Sequence, residues 1–111
     1  METTEIVSRF AALGHETRLR LFRLLLEHGR AGLPAGEISR RLDILPSTLT
    51  PHLQVLERSG LIGSRRDSRS VIYSLNTDGL QALVSFLVLD CCDGRPELCG
   101  LTADALEAGC A

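Results

Sequence analysis

Three residues, Asp43, Ile44 and Leu45, are all that separate two segments patterned as helices. Before them, "GEISRRL" sets Ile38 and Leu42 four apart. After them, "PSTLTPHLQVLERSG" opens on the helix-start pair Pro46–Ser47 and carries Leu49, Leu53 and Leu56 as one inner stripe to a stop at Ser59–Gly60. Neither helix can bury its stripe alone, so a link this short forces the two to cross at a tight corner. Everything else in the chain must pack around that corner.

Upstream, Ile6, Val7, Phe10 and Leu13 recur at helical spacing until Gly14 and His15 break the run. Residues 16–28 show a broader apolar face, Leu19, Phe22, Leu25 and Leu26 widened by Leu21, with Arg18, Arg20, Arg23 and Glu27 largely opposite. "HGRAGLPAG" ends that helix with three glycines and a proline. Downstream, "LIGSRRDSRSVIYSL" places β-branched and aromatic residues around the polar cluster Arg65 to Ser70, a hairpin with its turn near Asp67–Ser68. After Asn76–Thr77, "DGLQALVSFLVLD" is a fifth helix, apolar almost all round (Leu80, Leu83, Val84, Phe86, Leu87, Val88 and Leu89), which predicts burial in a subunit interface. This order of elements is that of a winged helix-turn-helix: mainly α with a small β-hairpin wing, dimerising through its first and last helices. The expected division is a DNA-binding and dimerisation domain over residues 1–90 and a cysteine-containing tail over 91–111.

A chain of 111 residues with 44% apolar content makes one domain with a modest core, of the kind that gains burial by dimerising. No apolar run reaches the roughly 18 residues of a membrane span, and the N-terminal stretch lacks a signal pattern. The expected location is therefore cytoplasmic, with thiols reduced. The net charge of −2 hides an asymmetry. Residues 40–73 carry Arg40, Arg41, Arg58, Arg65, Arg66 and Arg69 against three acids, whereas residues 76–111 carry Arg95 against six. A basic middle and an acidic tail let one face meet phosphates while the other does not. All twelve basic residues are arginine, which suits phosphate contacts, although genome composition explains the bias equally well.

In this architecture the helix after the corner enters the major groove and the hairpin lies along the backbone. With the leucine stripe buried, Ser47, Thr48, Thr50, His52 and Gln54 are left to bond phosphates and base edges. Arg65, Arg66 and Arg69 flank the hairpin tip as phosphate or minor-groove contacts, and the partner is double-stranded DNA. A solvated helix face and a solvated turn account for each group taken singly. The ordered set favours DNA.

"STLTPHLQVLERSGLI" (47–62) followed by "RRDSRSVIYSL" closely resembles the recognition helix and wing of ArsR/SmtB-type bacterial repressors. "LGHETRLRLFRLLLEHG" (13–29) is similar to their second helix, and the likeness runs from about residue 5 to residue 90. The resemblance implies a homodimeric repressor, not an enzyme, that binds an operator with a short inverted repeat and releases it on binding a ligand. Pro51 departs from the family pattern, where a polar residue is usual. A proline a few residues into the helix removes about the first internal hydrogen bond, so the helix is expected to survive with one DNA contact fewer.

The family's sensing sites direct attention to the tail. "PAGEISRRL" has no cysteine, and the fifth helix has no histidine, so neither the third-helix thiol site nor a histidine-based zinc-like site is expected. "DCCDGRPELCG" remains, with Cys91, Cys92 and Cys99. Gly94 and Pro96 predict a helix end near Cys92 or Asp93, beyond which neighbouring thiols can turn toward one point and a short loop can return Cys99. Three thiolates suit a soft centre of low coordination number. Arsenic-responsive family members similarly carry a Cys-Cys…Cys cluster at this place, with a slightly shorter gap before the third cysteine. That resemblance implies trivalent arsenic as inducer, with antimony(III) or methylarsenite as variants, and no required cofactor. Other readings stay open: a redox or persulfide switch, a cadmium- or zinc-type site that recruits Cys110, or incidental thiols. A small thiol-dependent arsenic-handling enzyme is the reading from a different class, but no strand–Cys-x-x-Cys–helix unit, phosphate loop or nucleophile–base pair supports it. His15 and His28 read as surface or cap residues.

Overall fold

The computed structural model describes residues 2–90, leaving aside the side chains of Leu89 and Asp90. The helices are α1 (Thr3–Leu13), α2 (Glu16–His28), α3 (Ala35–Leu42), α4 (Pro46–Arg58) and α5 (Thr77–Ser85). The strands are β1 (Leu33–Pro34), β2 (Ile62–Asp67) and β3 (Ser70–Leu75). The fold is the expected one, mostly helical with a small antiparallel wing, and no helix among the described residues is long and apolar enough to cross a membrane.

The corner between α3 and α4 closes through backbone geometry. Asp43 takes the left-handed conformation (φ 55°), which short polar side chains tolerate. This lets the Asp43 N–H reach the Arg40 carbonyl and the Ile44 N–H reach the Ser39 carbonyl at 3.0 Å. The Ser39 hydroxyl donates back to the Ile44 carbonyl, so the turn is fastened from both sides. Pro46 then starts α4 at a position whose N–H has no partner inside the helix. Leu49, Leu53 and Leu56 pack with Leu21, Leu25, Ile38, Leu61 and Ile62, all essentially inaccessible to water. Each such aliphatic side chain contributes about 1.5–3 kcal/mol by leaving water.

Four features differ from the pattern in the sequence. Leu19 and Leu26 are 43% and 44% exposed, so the core face of α2 is the narrower set Leu21, Phe22 and Leu25. Pro51 is the sixth residue of α4, and its missing donor interrupts an interior bond to Ser47 rather than the first one, yet the helix continues to Arg58. The glycine-rich link contains a strand: β1 pairs with β3 (Leu33↔Tyr73, Pro34↔Ile72), making the sheet three-stranded in the order β1-β3-β2. Two residues carry no alternation to read, and β1 exists because the edge of β3 accepts it. Finally, α5 ends at Ser85 and continues as a π-helical turn, Phe86–Asp90.

The wing leaves the body quickly. Ile62 and Ile72 are buried, and everything from Ser64 to Val71 is exposed, closed by the two-residue turn Ser68–Arg69. Ser68 adopts φ 59°, as a tight hairpin turn requires.

Helix α5 is seated on the end of α4. The Asn76 N–H bonds the Leu61 carbonyl at 2.9 Å, and the Asn76 side chain caps α5 through the Gly79 N–H at 3.2 Å. A Cβ at Gly79 would lie 1.9 Å from the carbonyl oxygen of Gly60, so only glycine permits this seat. Gly79→Ala is expected to cost about 1–3 kcal/mol through overpacking, a fall in Tm of roughly 5–15 °C for a domain of this size. Gly36→Ala in α3 meets no atom within 4 Å and is expected to leave Tm unchanged or raise it. Parallel thermal melts check both, and equal behaviour of the two variants would contradict the seat.

Candidate nucleic-acid interface

With Leu49, Leu53 and Leu56 turned inward, the 100° step of the helix puts Ser47, Pro51, Gln54 and Arg58 along one line on the opposite side of α4. All four are exposed, with Thr48 and Thr50 beside them. The Thr50 hydroxyl donates to the Pro46 carbonyl at 2.9 Å and is left as an acceptor toward the outside. The Arg58 Nε reaches back to the Gln54 carbonyl at 3.4 Å, which lays its side chain along the line.

His52 is placed differently from its neighbours. It is half-buried on the flank of α4, with its ring 4.7 Å from that of His15 (centroid to centroid) and its Nδ1 3.4 Å from Arg18 Nη1. A guanidinium only donates, so Nδ1 accepts and the ring proton sits on Nε2. Arg18 also binds the Ala12 carbonyl at 2.7 Å through Nε, capping α1. His15 itself caps α2, its Nδ1 accepting from the Thr17 N–H at 3.2 Å. The α1–α2 junction is thus joined to the recognition helix through three basic side chains. Burial first, then the neighbouring His15 and Arg18, hold His52 below the ordinary histidine pKa, so it favours the neutral form.

The three wing arginines also separate. Arg65 donates to the carbonyls of Arg30 (3.2 Å) and Ala31 (2.8 Å), bracing the wing against the turn after α2. Arg66, opposite Val71 in the ladder, and Arg69, in the hairpin turn, are exposed, and no described residue engages either charge. At the wing's root the Ser64 hydroxyl donates to Glu57 on α4 at 2.5 Å. Arg40 and Arg41 are partly neutralised: both pair with Glu37, and the hydrogen bond from Arg41 holds that carboxyl below its usual range. The outward guanidiniums of α4 and the wing are therefore Arg58, Arg66 and Arg69.

Behind this face, Arg9 of α1 donates to the Ser59 carbonyl at the end of α4 (2.8 Å) and to the Gly79 carbonyl in α5 (3.3 Å). One side chain thus joins three helices. Neither Arg9 nor the Arg18–His52 contact is visible in the sequence, where both arginines sit on polar helix faces like any solvated residue. Cys91, Cys92, Cys99 and Cys110 lie outside the described residues, and among the described residues no three metal-binding side chains gather.

A family model described as a helix-turn-helix domain matches residues 13–65. The transcriptional activator HlyU of Vibrio cholerae is 34% identical over 76 residues, covering 68% of each chain. A solved structure of that protein in its reduced form is 30% identical, with a TM-score of 0.63 over 78% of this chain and 87% of that one. The biofilm growth-associated repressor of Agrobacterium fabrum is 31% identical over 84 residues, 76% of this chain and 69% of the relative. An ArsR-like transcriptional regulator from Rhodococcus sp. RHA1 superposes with a TM-score of 0.72 at 28% identity, over 86% of this chain and 88% of that one.

The lowered pKa of His52 has a consequence for stability. Below about pH 6.5 an unfolded chain takes up a proton at this histidine that the folded chain resists, so stability falls as pH drops through that value. The expected result is a lower Tm at about pH 5.5 than at about pH 7.5, with a smaller drop in His52→Gln. An undiminished drop in the variant would show that His52 is not strained by protonation.

Proposed function

The chain belongs to the ArsR-like family of winged helix-turn-helix transcriptional regulators, and on that basis we propose that it is a homodimeric repressor of an inverted-repeat operator, released when trivalent arsenic binds Cys91, Cys92 and Cys99. The observation that carries the DNA half is the exposed polar line of α4 together with two exposed guanidiniums, Arg66 and Arg69, on a wing that packs against α4 through Ser64 and Glu57. Hydroxyl, amide and guanidinium groups on that line match base edges and phosphates, and Arg66 and Arg69 extend the contact along the backbone.

The dimer reading rests on apolar exposure. Val7 and Phe10 on α1 and Val84 and Leu87 at the C-terminal end of the fold are 59%, 41%, 44% and 39% exposed. Phe10 meets Phe86 edge to face at 6.4 Å, so the two helices that carry this surface already touch. A second copy covers the surface and places two recognition helices about one DNA turn apart.

The sensing half rests on donor chemistry and position. Cys91 follows directly on the π-helical turn Phe86–Asp90, so a ligand gathered by the three thiols pulls on the end of the dimer helix. Three sulfurs satisfy trivalent arsenic, whereas a tetrahedral zinc or cadmium ion needs a fourth donor. Movement of α5 passes through Gly79 and Arg9 to the end of α4. A near-complete switch requires the ligand to prefer the DNA-free state by about 5 kcal/mol. A second reading, oxidation of the same thiols, is favoured by the relative whose structure was solved in a reduced form.

A mobility-shift titration against a selected inverted repeat, with arsenite, antimonite, cadmium, zinc or an oxidant added, tests the proposal. Arsenite is expected to weaken binding by roughly three to four orders of magnitude, the fold-change that matches this preference for the DNA-free state, and Cys92→Ser to bind DNA normally without that response. Normal release of Cys92→Ser by arsenite would overturn the site, and release by oxidant alone would favour the redox reading.

A further inference from the structure

Pro51 occupies the middle of the outward line of α4, between Ser47 on one side and Gln54 and Arg58 on the other. Proline is among the least favourable residues for a helix interior, because it lacks the N–H and its ring crowds the carbonyl four residues back. Nothing in the fold asks for it here. The side chain is exposed, it caps neither end of the helix, and the buried stripe lies on the opposite side. A residue that weakens its helix without packing or capping points to a role outside the monomer.

The chemistry of that role is narrow. The ring has no donor and no acceptor, so at the centre of a face otherwise made of hydroxyl, amide and guanidinium groups it discriminates only by apolar contact. In the major groove, the apolar group that distinguishes one base from the others is the 5-methyl of thymine. Gln54, one turn further on, matches the N6 and N7 edge of adenine. Building on the DNA-binding reading above, we propose that Pro51 is a specificity-determining residue that packs on the 5-methyl group of a thymine in each half-site. The other large exposed apolar side chain of the helix-turn-helix, Leu45, is 71% exposed but precedes the helix, which makes it the natural control.

Deoxyuridine differs from thymine by that methyl alone. An operator selected from random duplex DNA with the full chain is therefore remade with each thymine replaced in turn by deoxyuridine, and the Kd is read by fluorescence anisotropy. A replacement in one half-site is expected to weaken wild-type binding about four-fold, the effect of losing one buried methyl group, and the same replacement in both half-sites about fifteen-fold. Pro51→Ser restores the helix N–H and so stays folded. It is expected to bind the thymine and deoxyuridine operators within about two-fold of each other. Wild-type indifference to every replacement, equal sensitivity in Pro51→Ser, or sensitivity abolished by Leu45→Ala instead would each overturn the assignment while leaving DNA binding intact. Failure to select any DNA would overturn the DNA-binding reading itself, and the assignment with it.

Discussion

The contact of Gly79 with the Gly60 carbonyl fixes the distance between the two working surfaces of the molecule. On one side of it the recognition helix ends; on the other, the last helix begins. No side chain separates the two backbones, so α5 cannot tilt without moving the end of α4. Arg9 repeats the link from a third direction, holding the Ser59 and Gly79 carbonyls with one guanidinium. Packed backbone with charge-assisted hydrogen bonds transmits displacement well, because it has few alternative arrangements. Under the proposed function, a displacement at the π-helical turn Phe86–Asp90 would reach the end of α4 by this path.

The proposed DNA face divides into groups that hold and groups that reach. Arg18, His15 and His52 fasten the flank of α4 to the α1–α2 junction, and Arg65 fastens the wing to the turn after α2. Arg66, Arg69 and the line from Ser47 to Arg58 are left outward. In a chain with a net charge of −2, Arg58, Arg66 and Arg69 outnumber Glu57 and Asp67 on α4 and the wing, whereas Glu37 neutralises its own helix neighbours Arg40 and Arg41.

Much of this was legible in the sequence because the corner is local. Leu49, Leu53 and Leu56, the pair Ile38 and Leu42, and the three-residue link specify the helix-turn-helix through periodicity alone, and the wing follows from its turn chemistry. The rest depends on partners far along the chain. Strand β1 is two residues long and exists only against β3, and Arg9 meets carbonyls 50 and 70 positions away. His52 was grouped with the groove-facing residues for its polarity, but the 100° step sets it on the flank beside the leucine stripe, where it meets His15 and Arg18 of the α1–α2 junction. The excess apolar surface of the last helix was visible, and the structure places it beside Phe10 of the first.

In the proposed dimer, two copies join through α1 and α5 and present their recognition helices to successive major grooves. Binding to inverted repeats whose half-sites are moved apart in single base-pair steps reads out this arrangement. Such a dimer binds tightly when the half-site centres are about 10–10.5 base pairs apart and loses affinity steeply when about five base pairs are inserted, because the second helix then meets the wrong side of the duplex. Affinity that ignores the spacing, with one chain per half-site, would contradict the dimer and the switch built on it.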